Sequence, residues 1–130
     1  MNKEFDLEAF TRLVVRKTEE LGKEVSLANP TDDAIFPIGV VNNPMEDVVM
    51  TDDDNIPIIK NFSITIEWWT NSRYESMKLC QETNLKMRTL NLLKVGNTII
   101  RNDEVTSKYI VGETYEVRYN GLTNSLEKIK

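Results

Sequence analysis

Residues 62–93 read FSITIEWWTNSRYESMKLCQETNLKMRTLNLL, and the period of the apolar residues changes in the middle of that stretch. Up to Thr70 the period is two. Phe62, Ile64, Ile66 and Trp68 alternate with Ser63, Thr65, Glu67 and Trp69, which predicts a strand over 59–70 with one face on a core. Thr70-Asn71-Ser72 then supplies helix-capping side chains, and Ser72 followed by Glu75 fits a capping box. From Arg73 to about Leu93 the spacing is helical. Ser76, Leu79, Cys80, Thr83, Met87 and Leu90 share one face when successive residues turn by about 100°. Tyr74, Met77, Leu85 and Leu92 lie on a second face with Gln81 and Arg88. The first face is expected on a sheet. The second is too apolar for a simple solvated surface.

Working outward from this junction, Leu7, Phe10, Leu13, Val14 and Leu21 predict an amphipathic helix over about 6–21, with Asp6 as N-cap and Gly22 as a left-handed stop. A linker follows over 23–33, with a short edge strand at Val25 and Leu27. Ala34 to Val41 predicts a buried strand, in which Pro37 argues for an edge position or a bulge. Asn42-Asn43-Pro44 predicts a turn, Met45 to Thr51 weaker extended structure, and Thr51 to Pro57 a loop. Beyond the second helix, Gly96-Asn97 and Asn102-Asp103 predict turns around a short strand at 98–101. Val111, Tyr115, Val117 and Tyr119 predict a strand over 109–119, and Asn120-Gly121 a hairpin back to a last strand at 126–129. The order predicts a single α+β domain across 1–130, with a mostly antiparallel sheet, two main helices on one face and an acidic loop region at about 42–57.

The composition excludes more than it identifies. The chain has 130 residues, a net charge of −5, one cysteine and no histidine. Ser-His-Asp and Cys-His catalysis, His-ligated zinc and a histidine pH switch are therefore absent. Cys80 has no partner for a disulfide within the chain and reads as a small core residue. The start, MNKEFDLEAF, lacks the apolar core of a signal peptide, and no run approaches the roughly 18 apolar residues of a membrane span. The five glycines are too scattered for a phosphate loop, and no pair of carboxylates stands in a catalytic context. Neither cofactor nor catalytic residue is expected.

The acidity is local. Residues 31–56 hold Asp32, Asp33, Glu46, Asp47, Asp52, Asp53 and Asp54 and no lysine or arginine, so that stretch carries −7 and the rest of the chain +2. The aspartate run lacks the spacing, turn glycine and distal glutamate of an EF-hand loop, and a solvated acidic loop is the plain reading. A second reading is a surface that faces DNA without holding it, since DNA affinity comes largely from cations that neutralise phosphates. Trp69, Tyr74, Met77 and Leu85 are the interface candidates. Glu46, Asp47, Asp52, Asp53 and Asp54 are the candidates for a loop that faces a lumen or a partner.

The leading helix, the segment IFPIGVV, the acidic region, the strand-to-helix junction FSITIEWWTNS–RYESMKLCQETNLKMRTLNLL and the closing TYEVRYNG together resemble the tail terminator, or tail completion, proteins of long-tailed bacteriophages. The resemblance runs over about residues 6–120. It implies an α+β structural protein without enzymatic activity. Such a protein forms a ring, typically a hexamer, at the head-proximal end of the tail tube. It stops tube polymerisation and joins the tail to the head connector. The implied partners are copies of the chain itself, the tail tube protein and a head connector protein. DNA passes nearby without specific binding, and no membrane is involved. The implied location is the virion tail, after synthesis in the host cytoplasm. Two other readings stand beside it: a stopper or adaptor of the same connector, and a monomeric acidic module that binds a protein.

Overall fold

Two fourteen-residue strands carry the fold. They are β2 (Ile38–Thr51) and β3 (Pro57–Thr70), and they pair antiparallel along nearly their whole length. The computed structural model describes residues 5–31 and 33–129. Asp32 of the acidic run lies outside the described residues. Before the long hairpin come α1 (Leu7–Glu19) and β1 (Glu24–Ser26). After it come α2 (Arg73–Arg88), β4 (Leu93–Asp103), β5 (Lys108–Asn120) and β6 (Ser125–Glu127). The sheet order is β1-β2-β3-β5-β4, and β6 lies beside the end of β5. All pairs are antiparallel except β1 with β2. The protein is α+β, as the sequence predicts.

The alternation in β3 decides which side of the sheet the helices cover. Phe62, Ile64 and Ile66 form the main core with Val41, Tyr115 and Val117, closed by Phe10 and Val14 of α1 and by Met87 and Leu92. Phe10 stacks on Phe62 with ring centroids 4.8 Å apart. Trp68, next on the same face, packs with Leu79, Cys80 and Val111. Gly39, opposite Trp68, is needed there because a Cβ would lie 2.9 Å from the indole. The predicted sheet-facing stripe of α2 is the buried one: Ser76, Leu79, Cys80, Thr83 and Met87.

The N-caps follow the sequence in part. Asp6 accepts a hydrogen bond from the Ala9 amide, Ser72 accepts one from the Glu75 amide, and Gly22 has a φ of +77°. The capping box is not closed, because the Ser72 amide donates to Thr70 Oγ1 at 3.2 Å rather than to Glu75. Polar side chains then fasten α2 to the sheet. Ser76 Oγ lies 3.0 Å from the carbonyl oxygens of both Trp68 and Tyr109, which share its one proton, and Trp68 Nε1 donates to Thr83 Oγ1 at 2.8 Å.

Several sequence expectations are corrected. Residues 34–37 are not strand, and β2 begins only after Pro37, which has no amide proton to give a ladder. Asn42-Asn43-Pro44 is not a turn. It is a register irregularity inside β2, with Asn43 at φ 51°. The acidic loop at 42–57 is therefore mostly strand, and only residues 52–56 make a turn. α2 stops at Arg88 rather than near Leu93. Asn91 is left-handed at φ 66°, and the Leu92 amide bonds back to the Met87 carbonyl, which closes the helix end. Gly96-Asn97 lies within an irregularity of β4, and β4 runs on through Asn102-Asp103.

Candidate interaction surfaces

The helix-free face of the sheet holds the first candidate. Trp69 is only 2% exposed, so it is no surface anchor in the folded chain. It packs with Ile38, Val40 and Ile110 under Ala34 and Phe36, the residues that do not become strand. The Arg101 guanidinium sits 5.5 Å over its ring. Arg101 Nη2 also donates to both oxygens of the buried Glu67, at 3.2 and 3.1 Å, and Asn42 Nδ2 donates to Glu67 Oε1 at 3.1 Å. This charged cluster is paired and hydrogen-bonded, which a buried carboxylate requires. Sequence reading missed Glu67 and Arg101, because they are 34 residues apart and meet only through the β3–β5–β4 order.

The outer stripe of α2 holds the other three interface candidates, and in the single chain all three are exposed rather than buried. Tyr74 is 77% exposed, Leu85 61% and Met77 43%. They recur at spacings of three and eight residues, so they form one ridge along the helix. The helix also carries Arg73, Lys78, Lys86 and Arg88 against Glu75 and Glu82. The ridge is thus apolar within a net basic helix.

The β2–β3 hairpin is its opposite in charge. Met45, Val48, Val49, Met50 and Ile56 are all exposed, alongside Glu46, Asp47, Asp52, Asp53 and Asp54. Glu46 pairs with Lys60 at 3.1 Å. Asp47 and Glu46 border a cavity of about 320 Å³ with Asn61 and Glu116. Asp52 is part of the turn itself, since its Oδ1 accepts from the amides of Asp54 and Ile56 at 2.9 Å each. Asp53 and Asp54 are exposed at the tip. Among the described residues no three His, Cys, Asp or Glu side chains come together to hold a metal.

β2 also has a free edge. β1 pairs only with Ile38, Gly39 and Val40, and among the described residues no strand flanks β2 beyond them. Cys80 is no reactive thiol. It is buried, its Sγ donates to the Val111 carbonyl at 3.2 Å, and burial pushes its pKa up to about 12. No described helix is long and apolar enough to cross a membrane. No family model matches the chain, and no curated protein matches it significantly.

Proposed function

We propose that the chain is a structural, non-enzymatic protein of a phage tail. It assembles as a ring at the head-proximal end of the tail tube, ends tube polymerisation and offers a docking surface to the head connector. One observation carries the self-assembly part of this reading. The chain exposes two apolar surfaces that differ in kind and in charge: an acidic hairpin with Met45, Val48, Val49 and Met50, and a basic helix ridge with Tyr74, Met77 and Leu85. A head-to-tail contact in a cyclic oligomer joins two different patches, and opposite charge favours the right pairing. The sequence resemblance supports the tail role. In this reading the tip at Asp53 and Asp54 faces the conduit, where like charge lets DNA slide past.

Electron microscopy of the purified protein, alone and with tail tube protein, tests this. Rings of uniform diameter that cap tube ends are the expected result. A chain that stays monomeric at high concentration and also in the presence of tube ends overturns it. Binding to a portal-side protein but not to tubes moves the role to a stopper or adaptor.

A further inference from the structure

We infer that copies of this chain join edge to edge, the free edge of β2 on one copy pairing with the outer edge of β4 on the next. This rests on the ring reading and names the contact within it. β1 covers the first three residues of the fourteen in β2, which leaves eleven, Val41–Thr51, without a partner strand on that side among the described residues. β4 is the other border of the sheet and is also eleven residues long, and among the described residues β5 is its only partner strand. Two unpaired rows of amides and carbonyls of equal length are templates for strand addition.

Charge selects between the possible pairs. β2 against a second β2 brings Glu46 and Asp47 close to their own copies, which repels. β4 instead offers Lys94 and Arg101, 46% and 43% exposed at the side chain although each has an acidic partner in its own chain. Arg88 of α2 lines a cavity of about 370 Å³ together with Lys94 and Leu92, so the basic end of the helix borders the β4 edge. One flank of the molecule is therefore an acidic strand edge, and the other a strand edge with a basic rim. Exposed Val48 and Met50 on one and Ile100 on the other supply the apolar contact.

Val49 gives a selective test. Val48 stands opposite Lys60 and Met50 opposite Ile59, so Val49 is the extra residue of a bulge and has no partner on β3. Val49→Lys places a charge on the exposed edge strand while keeping its amide, and Val49→Pro removes the amide of a residue that has no register partner on β3. Each is expected to raise the dissociation constant of the assembly by about tenfold or more, with an unchanged circular dichroism spectrum. On assembly of the unmodified protein, deuterium uptake should slow in both 41–51 and 93–103. Should Val49→Pro unfold the chain, Val49→Lys and the exchange data decide. Rings that form equally well with the folded variants, or slowed exchange in 41–51 without 93–103, overturn the edge pairing and leave the ring standing. No assembly under any condition removes both.

Discussion

At the scale of single residues, the polar atoms under α2 are placed too well to be changed freely. Thr83 Oγ1 accepts from Trp68 Nε1 and donates to the Leu79 carbonyl at 2.7 Å, with both side chains buried. Thr83→Val keeps the shape and orphans the indole N–H. We expect a loss of about 1–3 kcal/mol in urea unfolding, with Thr83→Ser close to the unmodified protein. Cys80 gives a pH signature. Its folded pKa of about 12 lies above the ordinary value of 9.0, so the fold holds the thiol proton more tightly than the unfolded chain does. That contribution is full below pH 9 and is lost as pH rises toward 12. Burial pushes the Tyr115 hydroxyl in the same direction. Urea midpoints should therefore fall steeply across that alkaline window, and less steeply in Cys80→Ala. An equal slope in the two proteins would remove the thiol from the account.

Elements differ in how much of them the sequence discloses. The strand at 59–70 and the buried stripe of α2 are legible because their periods are local and unbroken, and both caps sit where side-chain chemistry puts them. The acidic hairpin is not legible in that way. Asn42-Asn43-Pro44 carries the residues of a turn, yet β3 offers a fourteen-residue ladder and β2 follows it through a bulge. Tertiary pairing outweighs local preference there. The cover on Trp69 is hidden for a similar reason, since residues 34 and 36 meet residue 69 only once the sheet is formed.

The exposed ridge of α2 is legible from its spacing, and it separates stability from assembly. Tyr74→Ser combined with Leu85→Ser touches no buried contact, so unfolding free energy should stay within about 0.5 kcal/mol per site while sedimentation shows weaker association. Ser72→Ala removes the acceptor for the Glu75 amide and should cost about 1 kcal/mol of stability, read from the thermal midpoint. A Ser72→Ala protein as stable as the parent would mean that the cap is replaced by water.

For the whole molecule, the distribution of charge matters more than its sum. A −7 segment on a +2 remainder makes a dipolar surface, and contacts between its two poles are screened by salt. Association should weaken as ionic strength rises from about 0.05 M to about 0.5 M, a range over which the screening length shortens severalfold. An assembly that tightens with salt would instead be held by its apolar contacts alone.

The three residues of β1 have a consequence out of proportion to their length. By occupying β2 opposite Ile38 to Val40, they act as a stop. A strand that adds to this edge cannot run past Val41 toward Ile38. In the proposed ring that limit on register bounds the tilt of each copy against the last, and a full circle divided by the tilt is the number of copies that closes. The size of the ring would then be written in the shortest strand of the sheet.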